Sequence, residues 1–214
     1  MQTGMLGDNE ALRRLWDGLL KDLVLKLNSP RGPEYEEGLR KLLRDELMSI
    51  PVLAGTSGIT IVKMVTVLIG GGHTTDQIVE AAKKLEGRNR PNYVNPDIQQ
   101  ANMPSGHGRR RPVVLEFFEF DHDPLTEEVR ACCEEPGYGY STYEDGLRFQ
   151  EDRPEDQRKR PHVFVPENPC CDAGGNPLAL YLWSDADDRR LDLDDCDLGN
   201  GWYRLCLFAR RKYC

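Results

Sequence analysis

Apolar residues recur at helical spacing over residues 8–28, where Leu12, Leu15, Trp16, Leu19, Leu20, Leu23 and Leu27 fall on one face. Asp8 or Asn9 caps the start, and Asn28-Ser29-Pro30 ends it. After the turn Pro30-Arg31-Gly32-Pro33, a second stripe of Tyr35, Leu39, Leu42, Leu43 and Leu47 predicts a helix over residues 34–48. So short a connection predicts an antiparallel pair. Residues 59–69 carry two signals at once. Eight of the eleven are β-branched, which favours a strand, yet the polar Thr60, Lys63 and Thr66 recur every third position, which suits a buried helix with one thin wet stripe. Helical patterns on both sides decide for helix. Thr74-Thr75-Asp76-Gln77 then supplies a capping box ahead of Ile78, Val79, Ala82 and Leu85. The pattern predicts a four-helix module over residues 1–87.

Over residues 88–112 the periodicity vanishes into Asn, Pro, Gly and Arg, which predicts a mobile linker. Beyond it come short apolar runs at 113–120, 162–165, 178–183 and 202–209, each bounded by turn residues and each predicted as a strand. Leu198-Gly199-Asn200-Gly201 is a hairpin-turn signal before Trp202, and residues 124–133 suit one short helix. The fold class expected is α+β: an N-terminal bundle of about four helices over 1–87, a linker over 88–112 and a β-rich module over 113–214.

Charge follows the same division. The net charge of −8 splits into −1 over residues 1–87, +4 over 88–112 and −11 over 113–214. A uniformly basic nucleic-acid binder is thereby excluded, and only the linker, through Arg88, Arg90, Arg109, Arg110 and Arg111, has a charge that favours phosphates. The tracts Arg158-Lys159-Arg160 and Arg210-Arg211-Lys212 read as solvated basic patches inside an acidic module. The acidic run from Asp185 to Asp197 lacks the central glycine and the final glutamate of a calcium loop in register, and reads as a charge-repelling loop. No apolar run is long enough for a membrane span, and the first residues lack a secretory pattern. The expected compartment is the cytoplasm, with the nucleus as the alternative.

All seven cysteines follow residue 131, and in a reducing compartment they are thiols. The sequence implies no cofactor with force, and zinc is the one candidate. Its ligands would come from Cys132, Cys133, His162, Cys170 and Cys171, because a tetrahedral site takes four N or S donors. Adjacent cysteines diverge where a Cys-x-x-Cys pair would chelate, so small buried hydrophobes are the competing explanation. Asp121-His122-Asp123 offers a histidine with raised proton affinity at a strand end, and His122 or His162 beside a thiol would make a nucleophilic pair. Gly70-Gly71-Gly72-His73 precedes a helix as a phosphate cradle does, without the remaining residues of either nucleotide motif.

No complete catalytic motif is present. The reading that follows is a non-catalytic regulator or adaptor acting through protein–protein contacts. Its helical module would self-associate or hold a partner through Leu12, Trp16, Leu19 and Leu23. A zinc protein that touches nucleic acid through the basic linker is the alternative, and a thiol- or histidine-dependent enzyme the second.

Overall fold

A computed structural model describes residues 59–185 and 188–213. The helices expected over 8–28 and 34–48, with Leu12, Trp16, Leu19 and Leu23, lie outside the described residues.

The strands are β1 (Ile59–Ile69), β2 (Tyr93–Val94), β3 (Arg111–Phe120), β4 (Tyr138–Tyr140), β5 (His162–Phe164), β6 (Leu178–Asp185), β7 (Asp188–Asp195) and β8 (Leu207–Lys212). They form one mixed sheet of eight strands in the order β1-β3-β8-β5-β6-β7-β2, with β4 also paired to β8. Among the described residues three helices pack on it: α1 (Thr75–Lys83), α2 (Thr126–Cys133) and α3 (Tyr143–Asp152).

The expected helical bundle is therefore corrected at residues 59–69, which form β1 and pair antiparallel with β3 from Ile59↔Phe120 to Ile69↔Arg111. β-branching outweighed the three-residue polar spacing, because a register shift between Ile61 and Lys63 breaks the strict alternation of a regular strand. Segments on both sides of 88–112 consequently share one sheet. Those residues are no free linker. A 3-10 turn at Gly87–Asn89 leads to β2 at the far edge, and the chain returns with Ile98 and Met103 buried in the core.

Alternation along β3 and β8 makes the sheet apolar on both faces. Leu115, Phe117, Leu207 and Ala209 join a front cluster with Ile78, Val79 and Ala82 of α1 and Leu147 and Phe149 of α3. Phe118, Phe120 and Phe208 join a back cluster with Val129 and Cys132 of α2 and with Trp202. Helix α3 went unpredicted because Gly146 sits at its centre. A Cβ there would lie 2.5 Å from Leu180 and 2.9 Å from Phe164, so glycine lets the helix approach the sheet. The capping pair Thr142 and Asp145 was the legible signal.

Two further expectations are corrected. Residues 198–201 make no hairpin, since β7 lies beside β6 and β2 while β8 lies between β3 and β5; residues 202–206 are loop, and β8 begins at Leu207. The acidic run holds a strand, β7, where Arg189 and Leu191 are buried in alternation with more exposed neighbours. That strand forms the true hairpin with β6. Arg189 is fully buried and donates to Gln157 Oε1 at 2.9 Å, to the Gln150 carbonyl at 3.1 Å and to the Asn89 carbonyl, tying three segments together.

The tract 210–212 is not a solvated patch. Arg210 and Arg211, adjacent on β8, turn to opposite faces. Arg210 donates to Glu116 at 2.7 and 3.0 Å and to Glu135 at 2.8 Å, while Arg211 grips Asp145 of α3 at 2.7 and 3.0 Å. Arg210→Met leaves the buried Glu116 carboxylate with only the longer contact to Lys212 Nζ at 3.5 Å and is expected to cost about 3 kcal/mol in urea denaturation. Adding Glu116→Leu should return much of that loss, because the pair is then replaced by apolar contact; no recovery would show that the contribution lies elsewhere.

Candidate functional site

The C-terminal end of β3 and the N-terminal ends of β5 and β8 meet at one end of the sheet. Two loops gather there. The chain from Asp123 to Thr126 is laced to residues 198–204 by Trp202 N–H to the Pro124 carbonyl at 2.8 Å, Thr126 N–H to Asn200 at 2.9 Å and Arg204 N–H to Asp123 Oδ1 at 2.8 Å. Trp202 is buried in the back cluster and its indole N–H donates to Thr126 Oγ1 at 2.8 Å. An anchored aromatic at 202 and a buried Cys206 leave the residues between them facing outward.

The outcome is an exposed apolar surface on a rigid base. Among the described residues, six large apolar side chains are exposed, and four of them lie on these two loops: Leu125 at 37%, Leu198 at 56%, Tyr203 at 76% and Leu205 at 65%. Beside them is a shallow concavity of about 420 Å³, lined by Phe120, Pro161 and Leu205 together with the cations Lys159, Arg160 and Arg204 and the acids Glu119 and Asp121. Arg160 is held in place by Glu119 and by the Leu205 carbonyl at 2.9 Å, whereas Lys159 and Arg204 project as exposed cations.

His122 stands next to this surface with Asp121 Oδ1 2.9 Å from Nδ1 and Glu128 Oε1 3.0 Å from Nε2. Both carboxylates raise its pKa above the usual imidazole value, Asp121 most. Asp123, the other flanking acid of the sequence motif, instead accepts the Arg204 backbone N–H.

The remaining candidates are dispersed. Cys132 packs in the back cluster, whereas His162 lies in β5 against Phe117 and Phe149 on the front, so the sheet stands between them. Cys170 borders the front cluster beside the Tyr143 hydroxyl, and Cys171 is exposed. Among the described residues no three His, Cys, Asp or Glu side chains are grouped to hold a metal ion. Burial pushes the thiol of Cys132 up to about 11 and that of Cys133 up to about 12, and it raises Cys196 and Cys206 likewise, so these sulfurs stay protonated. Arg88 and Arg90 adjoin the β2 edge, while Arg109, Arg110 and Arg111 adjoin β1 and β3 at the other. At strand spacing those groups lie roughly 25 Å apart and make no single stripe. The Gly70–72 amides are also occupied: they donate to Glu144 Oε1 at 2.8 Å, Gly108 O at 3.2 Å and Gly106 O at 3.0 Å, which leaves no cradle.

Comparison with protein-family models, curated proteins and solved structures found no match. The site is accordingly read from its geometry. Sequence inspection missed Leu125, Tyr203 and Leu205, although the Trp202-Tyr203-Arg204-Leu205-Cys206 order carried the signal of buried ends around exposed apolar residues.

His162 has a structural role that makes its own test. Lys63 Nζ bridges Asp156 Oδ2 at 2.7 Å and His162 Nε2 at 3.1 Å, above the rings of Phe117 and Phe149. Burial, then the Lys63 charge, drives the His162 pKa from 6.5 down to about 3. The unfolded chain therefore takes up a proton below pH 6.5 that the folded chain refuses, and this part of the stability is present above pH 6.5 and lost as pH falls toward 3. The slope from one such group is about 1.4 kcal/mol per pH unit. His162→Gln, which retains an acceptor for Lys63, should flatten the decline of melting temperature between neutral pH and mild acid; parallel curves for the two proteins would refute the assignment.

Proposed function

We propose that the protein is a non-catalytic binding module, a regulator or adaptor, that holds a partner polypeptide against the loops at residues 123–128 and 197–206. The observation that carries this reading is the concentration of Leu125, Leu198, Tyr203 and Leu205 on two loops that Trp202 and Thr126 hold rigid. Exposed apolar side chains scattered singly need no explanation, but four of them on two loops hydrogen-bonded to each other, one lining a concavity, are a usual mark of an interface. A rigid base adds to this, because surface that is already ordered loses little entropy on binding.

The chemistry of the concavity describes the partner. Phe120, Pro161 and Leu205 make an apolar floor suited to one aliphatic or aromatic side chain. With Glu119 engaged by Arg160 and Asp121 by His122, the lining cations Lys159 and Arg204 suit a carboxylate next to it in the partner chain. An apolar residue flanked by Asp or Glu is the motif expected.

Selection from a displayed random-peptide library against the full chain tests this. Enriched peptides should pair an apolar residue with an acidic neighbour. Their affinity should fall about tenfold or more with Leu205→Asp, as for an interface anchor, while the far-UV circular dichroism of the protein is unchanged, since Leu205 is exposed. Peptides that bind Leu205→Asp as tightly as the parent, or a library that yields no enrichment, would overturn the proposal.

A further inference from the structure

On the back of the sheet the apolar cover gives way to a face of rings and acids. Val129 and Cys132 of α2 and Trp202 pack on Phe118, Phe208 and Val163, and the Trp202 ring lies 6.3 Å from that of Tyr181. Residues paired across neighbouring strands share a face. Tyr181 opposes Asp192, Ala179 opposes Asp194, and Trp183 and Tyr93 both oppose Arg190, so all of them belong to the back. Tyr93 is 40% exposed and Asp194 is exposed, while Tyr181, Trp183, Arg190 and Asp192 are half-buried. A guanidinium already lies on these rings: Arg190 is 4.7 Å from the centre of Trp183 and 5.9 Å from that of Tyr93, with Asp188 at 3.6 Å.

Next to that pair the same chemistry stands without its cation. Tyr181 stacks on Trp183 at 6.1 Å between ring centres. Asp192 accepts from Asn95 Nδ2 at 3.0 Å and Asp194 from the Asp195 N–H at 2.9 Å, and among the described residues neither has an ion pair. Two positions apart on one strand, these carboxylates are roughly 7 Å from each other. Partial desolvation, then the charges of Asp192 and Asp195, raise the Asp194 pKa above the usual carboxylate value. We propose that the back face of β6 and β7 binds a basic segment of a partner polypeptide, with an arginine laid against Tyr181 and paired with Asp192 and Asp194. Arginine suits the place because its planar cation both stacks on a ring and pairs with carboxylates. The charge of −11 over residues 113–214 attracts such a segment and repels a nucleic acid, whose bases would otherwise suit exposed rings. A neutral ligand would use the rings and leave both carboxylates uncompensated. The proposal does not depend on what the loops at 123–128 and 197–206 bind.

Fluorescence anisotropy of a labelled peptide alternating arginine and serine, titrated with the full chain, reads this binding. It should saturate, weaken as salt is added, and be tighter than for the same peptide with lysine in place of arginine. Asp194→Lys reverses an exposed charge within the face, and Glu80→Lys makes the same change of net charge at an exposed position of α1 on the front. Asp194→Lys should lower the affinity about tenfold or more and Glu80→Lys far less, with circular dichroism unchanged in both. Should Asp194→Lys not fold, Asp194→Asn, which keeps the size of the side chain, decides the matter with an expected loss of about threefold. Absence of binding, equal losses in Asp194→Lys and Glu80→Lys, or equal affinity for the lysine peptide would overturn the proposal. Leu205→Asp should not weaken this peptide, so a failure here is read separately from a failure of the loop surface.

Discussion

Two neighbouring arginines on one strand hold both layers of the molecule to the sheet. Successive side chains of a strand point to opposite faces, so Arg210 and Arg211 cannot serve the same partner. Arg210 meets Glu116 of β3 and Glu135 after α2 on the back, and Arg211 meets Asp145 in the first turn of α3 on the front. Each guanidinium is countered by a carboxylate that is itself buried or partly so, and the ring of Tyr138 lies 3.5 Å from Arg210. Burial of such charges is tolerable only while both partners remain in place. β8, in the middle of the sheet, is thereby committed to β3, to β4 and to helices on both sides.

The same two-sidedness explains where the exposed chemistry lies. A sheet that is apolar on both faces leaves its ends as the places where loops can present side chains to solvent. On the front, α1, α3 and the returning segment with Ile98 and Met103 provide the cover. On the back, α2 shares that task with a loop, through Trp202. A loop that must supply a core residue is held still, and the residues flanking that anchor are displayed in a fixed arrangement. The candidate binding surface is therefore a consequence of how the back face is covered.

Buried polar groups elsewhere act as fasteners. Arg189 has no carboxylate among its hydrogen-bond partners; it is held by amide and carbonyl oxygens from α3, from the turn at Asp156–Arg158 and from the turn at Gly87–Asn89. Burial, then the neighbouring Arg158 charge, lowers its pKa to about 10. Lys63, Asp156 and His162 fasten β1 to the same turn. None of these groups sits beside a thiol in the hydrogen bonds it makes, and their chemistry is spent on joining segments.

Local signals by themselves determined the strands at 113–120, 162–165 and 178–183, the helix after Thr74 and the short helix near 126, because each depends on periodicity, capping or turn residues within a few positions. Residues 59–69 became a strand only because β3 offers a partner over the whole length, a pairing between segments some fifty positions apart that no local window contains. α3 required the close approach of Gly146 to Leu180 and Phe164, and the path through 88–110 required the core to receive Ile98 and Met103. The candidate site was legible only as fragments, a histidine among acids at 121–123 and a tryptophan in an apolar run at 202. Whether a cysteine and a histidine meet, or an arginine is solvated or buried, depends on which face of the sheet each occupies. Strand order decides that, and strand order is set by contacts distant in sequence.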